Sequence, residues 1–81
     1  MKKIIRFTAS WCNPCKMLAK NLDSIKFEVP IEVVDIDESP EMATQYGIRG
    51  VPTLVMLENE KETKRMVGVK PLKELEGWIN E

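Results

Sequence analysis

The apolar positions of this chain change period several times, and each change marks an element. Lys3 to Thr8 is a short run carrying Ile4, Ile5 and Phe7, which suits a strand. Leu18, Leu22 and Ile25 then recur at helical spacing, so the pattern predicts a helix from Pro14 to about Ser24, packed on that strand. Ile31 to Ile36 is β-branched and apolar enough for a second strand, and a strand, helix and strand in this order predict a right-handed unit with parallel strands. Ser39-Pro40-Glu41 reads as an N-cap, a proline tolerated in the first turn and an acid near the positive helix end, and Gly47 as a left-handed stop. Thr53 to Leu57 is apolar throughout, as in a central strand buried on both faces. Glu62 to Val67 carries Lys64 and Arg65 and reads as a charge-protected edge, joined to its predecessor by a turn over Glu58 to Lys61. Pro71 opens a last helix with Leu72, Leu75 and Ile79 on one face and Trp78 beside them. The predicted order is βαβαββα.

Length limits what else the chain holds. Eighty-one residues, 43% of them apolar, provide for one modest core, so residues 1–81 are expected to form a single domain. The 12 basic and 13 acidic residues nearly cancel and form no block, which argues against nucleic acid as the main partner. Met1-Lys2-Lys3-Ile4-Ile5-Arg6 begins like a signal peptide, but its apolar stretch ends at Arg6 and no small-residue cleavage site follows. It is read as a strand of a cytoplasmic protein. No segment has the apolar length to span a membrane, and there is no histidine for metal or acid–base work. No metal or cofactor is expected, and the chemistry rests on two cysteines.

Trp11-Cys12-Asn13-Pro14-Cys15-Lys16 falls where the first strand hands over to the first helix. At that position the Cys12 sulfur faces unpaired backbone N–H groups at the positive end of a helix, which favours thiolate, the attacking species. Cys15 lies one turn inward, close enough to resolve a mixed disulfide formed at Cys12. Pro14 stiffens the first turn without removing a needed hydrogen bond. A structural disulfide, a zinc half-site and two inert thiols are the competing readings. A disulfide across two residues closes too short a loop to be an effective staple, and zinc would need a second chain to complete four ligands.

These residues resemble the thioredoxin family. The resemblance runs from about Ile4 to the last helix and rests on the Trp11 to Lys16 motif, on Tyr46-Gly47-Ile48-Arg49-Gly50-Val51-Pro52-Thr53, and on Gly68. It implies a three-layer α/β fold with a four-stranded mixed sheet, lacking the N-terminal strand and helix of larger members. It also implies catalysis by Cys12 and Cys15, supported by Asn13, Pro14 and Lys16, a cis Pro52 beside the cysteines, and a Val51 backbone that pairs with an extended substrate segment. Trp11, Val51, Pro52, Val67 and Gly68 are the implied substrate groove, with Gly68 allowing close approach of a partner's backbone.

The sequence departs from the family pattern in four places. Asn13 stands where glycine is common, Thr8 where an aromatic residue is common, Arg6 where the family has a buried aspartate, and Val33 where it has that aspartate's lysine partner. Arg6 cannot accept a proton, yet it can favour thiolates or pair with Asp35 on the neighbouring strand, so Arg6 and Asp35 are candidates for redox tuning. The competing reading is that Arg6 snorkels to solvent. The expected activity is reduction of protein disulfides by a monomer, recycled by a thioredoxin-reductase-like enzyme. Two alternatives stand beside it: a glutathione-dependent, glutaredoxin-like reductase, which Val67-Gly68-Val69-Lys70 does not favour because it lacks the Gly-Gly and acidic pair, and a non-catalytic binding subunit.

Overall fold

A computed structural model describes residues 1–81. Its elements are β1 (Lys2–Thr8), α1 (Asn13–Asp23), β2 (Ile31–Asp35), α2 (Pro40–Gln45), β3 (Thr53–Glu58), β4 (Lys61–Val67) and α3 (Leu72–Asn80), in the order expected. The four strands form one mixed sheet in the order β2-β1-β3-β4. β1 runs parallel to β2 and antiparallel to β3, and β3 runs antiparallel to β4.

Strand alternation sorts the core into two layers. On one face Ile4, Leu54, Met56 and Met66 pack under Leu18 and Leu22 of α1 and Leu75 and Ile79 of α3. On the other, Ile5, Phe7, Val34, Val55 and Leu57 meet Met42, Tyr46 and Ile48 at and beyond α2. β3 therefore buries both its faces, which is why its sequence does not alternate. Leu72 departs from the helical pattern and is 44% exposed. Pro71 is the N-cap, so Leu72 opens α3 at the rim, while Leu75 and Ile79 reach the sheet. Ser39 occupies the N-cap of α2, but its side chain makes no capping hydrogen bond. Gly47 ends that helix at φ +63°.

The β3–β4 hairpin turns through Asn59 and Glu60, at φ +53° and +70°. Two left-handed residues in succession suit the right-handed twist of paired strands. Asn59 tolerates this conformation and accepts a hydrogen bond from the N-terminal ammonium at 2.7 Å. Glu60 gains no such compensation, so Glu60→Gly should raise the unfolding free energy by about 1 kcal/mol, the usual cost of a left-handed non-glycine residue. Urea denaturation checks this, and a loss of stability would contradict it.

Candidate redox site

All the sequence-predicted site residues except Arg6 gather at or beside the carboxyl end of β1, with Asp35 in register with Thr8 there. Cys12 is the N-cap of α1, with φ −95° and ψ 105°, and its sulfur accepts the Cys15 N–H at 3.1 Å. Cys12 N–H is itself held by the Ala9 carbonyl at 3.2 Å. Cys12 and Cys15 are joined as a disulfide, with Cα atoms 5.2 Å apart. A sulfur that takes a helix-end N–H is stabilised as an anion once that bond opens, because the donors are already aimed at it.

Both cysteines are buried, Cys12 at 4% exposure and Cys15 at 1%, packed with Ala9, Ile36 and Val51. The two sulfurs therefore differ less in access than a helix-start position implies.

The Val51–Pro52 peptide is cis, as the resemblance implies. The Val51 carbonyl oxygen stands 3.7 Å from Cys12 Sγ, a partner for the proton of a Cys12 thiol. Thr53 Oγ1 donates to the Gly50 carbonyl at 2.7 Å, and Gly68 N–H donates to the Pro52 carbonyl at 2.9 Å. These bonds fix the segment on both sides of Val51, whose own N–H and C=O make no backbone hydrogen bond within the chain. Gly68 is at φ +88°, which a side chain would resist. Val67, registered with Thr53, is 59% exposed, and Trp11 is 66% exposed. Trp11, Val51, Pro52, Val67 and Gly68 thus flank Cys12, while Asn13, Pro14 and Lys16 are exposed at the start of α1.

Arg6 and Asp35 form no ion pair with each other. Arg6 lies in a depression with Ala19, Leu22, Asp23, Phe27, Ile31 and Val33, beyond the Cys15 turn of α1. Burial lowers its pKa, and the charge of Asp23 opposes that shift. Asp35 Oδ1 instead accepts Asp37 N–H at 2.8 Å and Glu38 N–H at 3.3 Å, fastening the turn after β2.

That turn carries a site residue that the sequence reading missed. Asp37 Oδ2 accepts the Trp11 indole N–H at 2.9 Å and holds the exposed ring beside Cys12. The available signal was an acid just past the carboxyl end of the strand parallel to β1. Asp37→Ala should free the ring and raise KM for a protein disulfide about two- to tenfold, the worth of one hydrogen bond of about 0.5–1.5 kcal/mol. Time-resolved anisotropy of Trp11 in a Trp78→Phe background separates ring mobility from loss of fold, and an equally rigid ring would refute the clamp.

The thioredoxin family model matches residues 1–81. The chain belongs to the thioredoxin family. It is 43% identical over 81 residues to the thioredoxin of Chlamydia caviae, covering 96% of this chain and 79% of that one. With the thioredoxin of Chlamydia trachomatis it shares 46% over 70 residues, 83% of this chain and 69% of the other. Among solved structures, a point mutant of the Halobacterium salinarum thioredoxin superposes with a TM-score of 0.89 at 31% identity, covering 98% of this chain and 72% of that one. The Fasciola hepatica thioredoxin gives 0.86 at 29% identity, covering 98% and 78%. This thioredoxin-family chain is a thiol–disulfide oxidoreductase, and the family relationship implies disulfide substrates and recycling by a reductase. No helix is long and apolar enough to cross a membrane.

Proposed function

We propose that Cys12 is the attacking thiolate and Cys15 the resolving one in the reduction of protein disulfides. The observation that carries this assignment is the Cys15 N–H aimed at Cys12 Sγ from 3.1 Å at the N-cap of α1. The Cys12 thiolate attacks one substrate sulfur, and the other leaves as a thiolate. Cys15, deprotonated, then attacks Cys12 Sγ, releasing the second substrate thiolate and forming the Cys12–Cys15 disulfide. The substrate has gained two electrons and the chain has lost them, and a reductase returns them as a dithiol.

The groove supports the substrate's approach. An extended segment pairs with the Val51 backbone, whose N–H and C=O no other backbone group of the chain takes, rests on Trp11, Pro52 and Val67, and passes Gly68 closely. Every part of this site comes from one chain, so turnover needs only one. A reducing cytoplasm suits a dithiol maintained by a reductase. Arg6 adds a positive charge on the α1 face of β1 in place of the family's acid, and the carboxylate that shares its depression is Asp23.

Insulin-disulfide reduction, driven separately by thioredoxin reductase with NADPH and by glutathione, tests the recycling route. Turnover with the reductase and little with glutathione is expected. The reverse preference would replace this reading with a glutaredoxin-like one, and partner binding without reduction in either assay would point to a binding subunit.

A further inference from the structure

The surface beside Cys12 does not end at Gly68. From Gly68 to Pro71 the chain lies outside any strand or helix, and no other backbone group takes the Val69 N–H. A methyl group built on Gly68 would meet nothing within 4 Å, so the space beside it is open.

The segment after Gly68 runs along α1. Asn21 Nδ2 donates to the Lys70 carbonyl at 3.4 Å, which ties that residue to one edge of the helix. Met17 stands four residues before Asn21, so it shares this edge one turn nearer Cys12. Met17 is therefore set between the cysteine turn and Lys70. Leu72 opens α3 just beyond, near the side from which Asn80 reaches the Lys26 carbonyl past the end of α1.

Core packing does not account for this strip. Met17 is 60% exposed and Leu72 is nearly as open, although Leu18, Leu22, Leu75 and Ile79 of the same two helices are buried. Lys70 takes part in none of the chain's ion pairs, and Lys16, Lys20 and Lys73 add positive charge around it. The acids of these helices lie elsewhere. Asp23 lines the Arg6 depression on the other edge of α1, Glu74 falls on the Trp78 side of α3, and Glu76 stands one turn past Leu72. Asp37 and Glu38 belong to the turn that holds Trp11, and Arg49 precedes Gly50 in the loop before β3.

We propose that Met17, Leu72 and Lys70 form a specificity subsite for the disulfide substrate, taking an apolar side chain against Met17 and Leu72 and a carboxylate on the Lys70 ammonium. The subsite rests on Cys12 as the attacking residue and deepens that reading. Five helical residues from Cys12 to Met17 rise about 7.5 Å, which roughly two extended residues span, and the further turn to Asn21 and Lys70 takes roughly two more. Alternate residues of an extended segment share a face, so the favoured substrate carries its cysteine, an apolar residue and an acid at every second position. A thioether adapts to apolar partners of different shape, and a lysine ammonium meets a carboxylate from several directions. The contact forms on docking, so it changes the rate of association and leaves resolution by Cys15 untouched.

The test mixes reduced protein with a peptide bearing leucine about two and glutamate about four residues to either side of a central cysteine, held as its mixed disulfide with 2-mercaptoethanol. A second peptide has glutamine for both glutamates. Acid quenching and chromatography give the second-order rate of disulfide loss. The glutamate peptide should react about two- to fivefold faster at low salt, the scale of a half-exposed charge pair, and the ratio should shrink in about 1 M salt. Lys70→Gln should bring the ratio to about one and Lys70→Glu should invert it, with circular dichroism unchanged. Lys26→Glu, the same charge change beyond the far end of α1, should keep the wild-type ratio. Met17→Ser should slow both peptides about two- to fivefold, the worth of about one methylene removed from water, and leave their ratio intact. A wild-type ratio of one, or equal ratios for Lys70→Glu and Lys26→Glu, would overturn the subsite. Undiminished rates for Met17→Ser would overturn its apolar contact. Failure of the wild type to reduce both peptides would instead overturn the disulfide-reduction reading on which the subsite rests.

Discussion

Cys15→Ser should accumulate as a covalent adduct with its substrate, whereas Cys12→Ser should form none. On the proposed roles a substrate sulfur meets Cys12 first, because Cys12 is the N-cap of α1 and Cys15 lies inside its first turn. Serine at position 15 keeps the backbone N–H that points at Cys12 Sγ, and the attacking thiolate retains its stabilising donor. The hydroxyl cannot displace the substrate, so the mixed disulfide persists. Both variants should reduce insulin no faster than the uncatalysed reaction. Intact mass spectrometry after incubation with a disulfide peptide reads the outcome directly. A companion measurement uses the reduced wild type: iodoacetamide at about pH 6, well below the about 8.5 of an ordinary thiol, should label Cys12 first. An adduct on Cys12→Ser, or preferential labelling of Cys15, would reverse the two roles.

The largest stability loss is expected for Phe7→Ala. Phe7 is fully buried on the α2 face of β1, among Ile5, Val34, Val55 and Leu57, with its ring centroid 5.7 Å from that of Tyr46. Removing a buried phenyl ring costs about 3–5 kcal/mol through lost transfer energy and the cavity left behind. At about 0.05–0.15 kcal/mol per residue, a chain of this length has only about 4–12 kcal/mol in total. The variant should unfold at a urea midpoint lower by about 3–5 M, for a slope near 1 kcal/mol per molar, or fail to fold at ambient temperature. Phe7→Leu, which retains most of the volume, should lose much less. Equal midpoints for Phe7→Ala and wild type would mean that the α2 layer is not part of the cooperative core.

Much of this architecture was legible in the sequence because burial leaves a pattern. The unbroken apolar run of β3 showed a strand covered on both faces, and Leu18 and Leu22 showed the side of α1 that meets the sheet. The cysteine motif was equally legible, since its spacing fits a helix start. What failed depended on groups distant along the chain or on local competition for a side chain. The Trp11–Asp37 bond joins residues 26 positions apart, and no periodicity encodes it. The suggested Arg6–Asp35 pair had a sound strand placement, but the Asp35 carboxylate is taken by the amides of its own turn. Leu72 matched the helical period, yet at the first residue of α3 there is no sheet for it to cover. The turn over Glu58 to Lys61 was anticipated, but Glu60 gives no sequence sign of its left-handed backbone.

The burial of both sulfurs also has a consequence for electron traffic. Exchange requires the incoming thiolate, the attacked sulfur and the departing sulfur to lie nearly in line. Cys15 lies inside the first turn of α1, and Cys12, at the N-cap, is bordered by Val51 and follows Trp11, whose ring Asp37 holds. A small thiol gains little by entering there, whereas a protein that docks along Val51 and Val67 recovers the cost of alignment through its other contacts. The oxidised pair is expected to behave as an insulated terminal, with current flowing to a plug that fits the socket and the surrounding thiol pool held off by kinetics even where the potentials would let it react.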